Sequence, residues 1–207
     1  MKKFFTRVPL QPKGKLDKYL YNSKGNSKLQ INKQISFPII TAINGYCEDN
    51  EEIEVYAIIN NTEAELYNYE ILCNELGEII KEKNLICKLG VQKIEADSEQ
   101  DVIAQTNLFQ RLIDVVDDND ELFACMTFGT KPQTTVMQMA IQYAYRIKKN
   151  TSISCMVYGE IVRPEGKDWY GNIYDMTALV QLDELVNVLA VQKVDNPKDI
   201  IRTILSV

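Results

Sequence analysis

Apolar positions recur along the chain at a step of two in some stretches and at three and four in others, and the two periods take turns. Lys3–Leu10 is apolar and β-favouring until Pro9 and Gln11-Pro12 close it, which predicts a first strand with a polar exit loop. Between Lys15 and Gln34 neither period holds. Tyr19-Leu20-Tyr21, the polar Asn22–Ser27 around Gly25, and Lys28–Ile31 read as a hairpin or loop excursion over 15–34. Ser36 and Pro38 open a short helix that places Ile39, Ile40, Ile43 and Tyr46 on one face. Ile53–Ile59 is a compact strand, and Thr62 with Glu65 three residues later forms a capping box. The helix behind that box carries Leu66, Tyr69, Cys73, Leu76 and Ile80 as its apolar stripe.

Ile86–Ile94 has the mixed polarity of a strand near an edge. Ser98 and Asp101 repeat the capping signal ahead of a helix with Val102, Thr106, Phe109, Ile113 and Val116 facing inward. Leu122–Thr127 is a continuous apolar run, the pattern of a central strand buried on both faces. A helix over Gln133–Lys149 follows, with Val136, Ala140, Tyr143, Ala144 and Ile147 on its buried face, and then a fifth strand over Ile153–Val162. Arg163–Gly171 is a polar turn, Asn172–Met176 a last short strand and Leu182–Val191 a helix, which leaves residues 192–207 as a tail. Strands alternating with helices through short connections predict an α/β fold. Its expected form is a doubly wound, mostly parallel Rossmann-like sheet with helices on both faces, built as a single domain over residues 1–207.

Composition narrows the chemistry. The 23 basic and 29 acidic residues leave a net charge of −6, which argues against a surface for long nucleic acid while allowing a local cationic pocket. Histidine is absent, so Ser-His-Asp and Cys-His machinery and His-ligated metals are excluded. Cys47, Cys73, Cys87, Cys125 and Cys155 are widely spaced with no Cys-x-x-Cys pair, which points to a reducing compartment rather than to disulfides or zinc. The amino-terminal stretch lacks the apolar core of a signal peptide, and no run of about 18 apolar residues occurs. The expectation is a cytoplasmic protein with no membrane association, no metal and no cofactor.

In sheets of this kind ligands bind beyond the carboxyl ends of the strands, where strand order reverses. That rule selects Thr6, Arg7, Val8, Pro9, Leu10 and Gln11 after the first strand, Asn60 and Asn61 after the second, and Phe128–Gln133 after the fourth, with Tyr158–Arg163 around the fifth. The most informative stretch is Thr127-Phe128-Gly129-Thr130-Lys131-Pro132, followed by Gln133. Gly129 permits a tight turn, the helix start presents unpaired N–H groups, and Thr130 and Lys131 add a hydroxyl and a cation: an oxyanion or phosphate cradle. Neither a Gly-x-x-x-x-Gly-Lys-Ser/Thr loop nor a Gly-x-Gly-x-x-Gly turn is present, which disfavours nucleoside triphosphatase and dinucleotide chemistry. Trp169 and Tyr170 offer faces on which an adenine could stack, although packing or a dimer contact is the plainer reading. Met126, Met137, Met139 and Met156 read as core filler.

The segment Phe123–Pro132 resembles the strand-four signature of CARF domains, the CRISPR-associated Rossmann fold, in which an apolar strand runs into Thr-Gly-Gly-Thr-Lys-Pro and a helix. Phe128 stands where the first glycine is usual, and Arg7-Val8-Pro9 replaces the small residues usual after strand one. The resemblance implies a homodimer that holds a cyclic oligoadenylate, most readily the tetra-adenylate, as a signal sensor of type III CRISPR defence, with a separate or fused effector. Gly129, Thr130 and Lys131 match its ligand loop. Two further readings stand beside the sensor. One is a metal-independent ring nuclease in which Lys131 and Arg7 stabilise phosphate charge while Thr130 and Thr6 orient the ribose. The other is an unrelated α/β protein that binds a small phosphorylated metabolite.

Overall fold

The computed structural model describes residues 1–206. Along them run β1 (Lys2–Arg7), β2 (Tyr19–Lys24), β3 (Gln34–Ile35), α1 (Ile39–Tyr46), β4 (Ile53–Ile59), α2 (Glu63–Lys83), β5 (Val91–Glu95) and α3 (Val102–Ile113). Then come β6 (Glu121–Cys125), α4 (Lys131–Ile147), β7 (Ser152–Val162), β8 (Tyr170–Asp175), α5 (Thr177–Gln192) and α6 (Pro197–Leu205). The strands form one sheet in the order β3-β2-β8-β7-β6-β1-β4-β5. The five neighbours β7-β6-β1-β4-β5 are parallel, β8 returns antiparallel to β7, and β2 lies parallel to β8. This mostly parallel α/β architecture is compatible with a Rossmann-like fold.

Alternation along β1 divides the core into two layers. Phe4 stacks on Phe123 of β6 with ring centroids 4.4 Å apart, while Phe5 stacks on Tyr56 of β4 at 5.2 Å on the other side of the sheet. The first layer takes in Ile39, Ile40 and Ile43 of α1 and Leu72, Leu76 and Ile79 of α2. The second takes in Leu108 and Leu112 of α3, Met137, Ala140 and Ile141 of α4, and Val180 of α5. Each fully buried Leu, Ile or Phe contributes about 1.5–3 kcal/mol, so the strands that feed both layers are the ones the fold cannot lose.

Several expectations need correction. On α2 the buried face is Leu72, Leu76 and Ile79 together with Glu65, Asn68 and Glu75, and Leu66 lies exposed. On α3 the inward residues are Ala104, Leu108 and Leu112, whereas Val102 is 80% exposed; Asp101 alone caps this helix, accepting from the Ala104 N–H. Met139 and Ile147 of α4 are exposed rather than core. The 15–34 excursion supplies β2 to the main sheet. Tyr21 of β2 is buried there over Gly171 of β8, where any Cβ would fall on the tyrosine ring. The stretch read as a tail is helical over Pro197–Leu205. All five cysteines are free. Among the described residues no cluster of Cys, Asp and Glu could hold a metal, and no helix is long and apolar enough to cross a membrane.

Candidate functional site

Among the strands parallel to β1, β4 and β5 follow in sequence on one side of it, and β6, its other neighbour, leads on through α4 to β7. Strand order therefore reverses between β1 and β6, and the crevice beyond their carboxyl ends is where a parallel sheet presents a ligand site. Arg7 ends β1 there, and Met126–Thr130 joins β6 to α4.

Arg7 faces inward and is 1% exposed. A guanidinium has five N–H donors, and here all five are used. Nε donates to Gln133 Oε1 (3.1 Å), one terminal nitrogen to the Val8 and Ile58 carbonyls (2.8 and 2.7 Å), and the other to Asn60 Oδ1 and the fully buried Glu65. Burial pushes the Arg7 guanidinium below its ordinary value while the Glu65 charge pulls it back. The expectation that Arg7 answers a phosphate is thereby corrected: its donors are spent on the protein. Thr6 is fully buried, and its hydroxyl reaches only the Arg7 carbonyl at 3.5 Å. Both residues position the crevice rather than line it.

What Arg7 positions is the start of α4. Gly129 sits at φ +109°, a region glycine enters without strain, and a Cβ there would stand 3.1 Å from Arg7 Cγ. Thr130 caps the helix in a full capping box with Gln133, whose Oε1 accepts both the Thr130 N–H at 3.3 Å and the Arg7 Nε–H. The Thr130 hydroxyl donates to Gln100 Oε1 at 2.7 Å. Lys131 follows, exposed, at the positive end of a 17-residue helix. Phe128 packs edge-on against Phe37 (5.7 Å), and Thr127 Oγ1 accepts the Gly159 N–H at 2.8 Å.

The other loops divide in the same way. Val8 and Pro9 are buried, and the buried Asn68 donates to the Pro9 and Gln11 carbonyls (3.0 and 2.9 Å), which leaves Leu10 and Gln11 outside. Asn60 donates to the Ala96 and Asp97 carbonyls, so its amide is committed to structure as well. Asn61 is exposed at φ +58° and donates to Glu95. Of the residues selected from sequence, the structure brings Gln11, Thr127–Thr130 and Lys131 to the surface of this end of the sheet, and withdraws Thr6, Arg7, Val8, Pro9 and Gln133.

A pocket of about 290 Å³ opens beside Thr127 and Phe128. Gln11, Arg163 and Trp169 of its walls were among the residues singled out from sequence, whereas Lys15, Tyr19 and Ser36, from the excursion and the turn before α1, were not. The one tryptophan of the chain, standing in a polar turn, is the local signal that pointed to it. Larger, mainly apolar grooves lie between α3 and α4 and between α5 and α6. The crevice pocket differs from them in combining two cations with four aromatic rings. Compared with protein-family models and with curated proteins, the chain matches none.

Proposed function

We propose that the chain is a doubly wound Rossmann-like binding module that takes a cyclic oligoadenylate as a homodimer in the cytoplasm, as a signal sensor of type III CRISPR defence acting through an effector. The observation that carries this reading is the crevice at the β1/β6 reversal, where Gly129 turns the backbone so that Thr130 and Lys131 stand at the amino end of α4. A phosphodiester ring bears one negative charge per nucleotide. Two copies of this loop about a two-fold axis would answer it symmetrically with paired lysines and paired helix ends.

Binding is favoured over turnover by the placement of the four proposed catalytic groups. Thr6 and Arg7 are buried and engaged, so only Thr130 and Lys131 could meet a scissile phosphate. The deciding experiment incubates the protein with labelled cyclic tri-, tetra- and hexa-adenylate and reads retention and cleavage together. Retention of a ring, with the ring intact and the protein dimeric, is expected. No retention of any ring at micromolar protein would overturn the reading, and a cleaved ring would replace the sensor with a ring nuclease.

A further inference from the structure

Past Met156 the sheet has a face that belongs to neither packed layer. Val157 of β7, Ile173 of β8 and Tyr21 of β2 are buried in the layer of α1 and α2. Alternation turns Tyr158, Glu160 and Val162 of β7, Asn172 and Tyr174 of β8 and Lys24 of β2 to the opposite side. There α3, α4 and α5 build the second layer, and its buried residues on β7 stop at Met156. An antiparallel edge of a sheet can stand in water on one side, and its outward positions are then polar. Here they are mixed. Tyr158 and Leu20 are each 40% exposed, Tyr158 stacks on Tyr174 with ring centroids 6.5 Å apart, and Tyr170 pairs with Val162 beside them, both half-buried. Three tyrosines gathered with Leu and Val in one surface patch are the composition of an interface.

The two charges on this face indicate what covers it. Tyr174 pairs with Tyr158 on β7 and with Lys24 on β2, and Asn172 with Glu160 on β7 and Asn22 on β2, so an acid marks one side of the face and a base the other. The Tyr174 hydroxyl holds Glu160 in place at 2.8 Å. Both charged groups are exposed, and neither makes an ion pair among the described residues. With β8 between them they lie about 10 Å apart across the strands. A two-fold axis running roughly along β8, in the plane between two copies, sets the β7 side of one over the β2 side of the other. Each Glu160 then meets Lys24 of the partner, whose long stem spans the offset of one row, and the tyrosines of the two copies face each other. β7 pairs with β6 only as far as Val157 and runs on beside the α4 start, where the Gly159 N–H reaches Thr127 Oγ1 at 2.8 Å. Such an axis therefore brings both α4 starts to the same end of the pair.

We propose that the uncovered face of β7, β8 and β2 docks a second copy of this chain, with a Glu160–Lys24 pair on either side of the axis; the assignment rests on the homodimer of the reading above and is tested without ligand. Three strands make a small contact beside that of a tight dimer, so the pair is expected to form in the micromolar range and to exchange subunits. Sedimentation velocity at low salt should show it for the wild-type protein. Lys24→Glu leaves two acids on the face and Glu160→Lys two bases, so each variant alone should dimerise about 10-fold or more weakly than wild type. Mixed in equal amounts, the two variants should form a heterodimer, because every cross-contact again sets an acid against a base. Damage to the fold could not produce that rescue. A monomeric wild type, variants that dimerise as wild type does, or a mixture that stays monomeric would overturn the interface. If a cyclic oligoadenylate ring is retained and both variants stay dimeric, the interface fails and the proposed function stands. If mixing restores the dimer and no ring is retained, the interface stands and the proposed function fails.

Discussion

Arg7 carries its charge in a place where water cannot reach it, and the whole reversal point depends on how that charge is met. Glu65 is its counter-ion and also the third residue of the α2 capping box, where its carboxylate accepts the Asn60 and Thr62 N–H groups at 3.1 and 3.3 Å. Removing one partner of a buried pair costs about 3–5 kcal/mol, because the other is left uncompensated. Glu65→Gln removes the charge and leaves one acceptor oxygen. If the amide oxygen keeps the Thr62 cap, its NH2 faces the Asn60 N–H and Arg7, so the variant is expected to lower the unfolding free energy by about that amount or more in urea. A loss under about 1 kcal/mol would show that solvent screens the pair. The capping role of Glu65 was legible from Thr62-x-x-Glu65, but its second role was not. Whether a strand-end arginine turns outward to an anion or inward to a carboxylate depends on the residues across the crevice, and Asn60, Glu65 and Gln133 are brought to Arg7 only by the fold.

Two elements, β1 and α4, transmit residue-scale choices to the site. At its amino end β1 is moored by Lys2 and Lys3: Lys2 bonds Glu51 at 2.8 Å, and Lys3, 4% exposed, meets Asp117 and Asp120 at 2.9 Å each. The Lys3 hydrogen bond and charge hold the Asp117 carboxyl below its ordinary 3.8. Burial pushes Glu51 up, but Lys2 and the Glu48 N–H outweigh it and hold it below 4.5. Lowered carboxylates lend stability that is complete above their ordinary values and lost as pH falls through the lowered ones. Glu75 opposes them, since burial raises its value and its protonation favours the folded state. The pair Asp117→Asn and Glu51→Gln should therefore lose less stability than wild type between neutral pH and about pH 2, read from urea midpoints at each pH. An equally steep acid limb would place the responsible carboxylates elsewhere. At α4 the expected outcome is structural: Gly129→Ala, forced to a positive φ against Arg7 Cγ, should cost about 1–3 kcal/mol with an unchanged denaturant slope. The α4 start was legible because capping and glycine chemistry are local. The buried faces of α2 and α3 were misjudged because Glu65, Asn68 and Glu75 occupy the packed side of α2, and on α3 Val102 competes with Ala104 for the inward position.

At the scale of the whole molecule, the strands β1, β4, β5, β6 and β7 were legible from local signals, while their order and the other edge of the sheet were not. β2 pairs with β8 across nearly the length of the chain, through Tyr21 over Gly171, and no local period announces so distant a partner. That edge builds half the pocket beside Phe128, so the part of the site made by non-local pairing was the part the sequence left unseen. The same geometry makes ligand binding a property of the folded state alone: crevice and pocket draw on β1, β2, α1, β6, α4 and the β7–β8 turn, which an unfolded chain cannot assemble. A ligand that binds only the native state stabilises it by about 2.7 kcal/mol at a hundred times Kd. For a chain of this length that amounts to a rise of roughly 5–10 °C in Tm. The cyclic tetra-adenylate is expected to produce it in a thermal melt. Lys131 is exposed and makes no ion pair in the described protein, so Lys131→Ala should leave the ligand-free Tm in place. Losing a hydrogen bond to a charged group costs about 1.5–3 kcal/mol of binding, which at the same ligand concentration cuts the rise to less than half. An undiminished rise in the variant would move the phosphate contacts away from the α4 start, and a changed ligand-free Tm would show Lys131 to be structural.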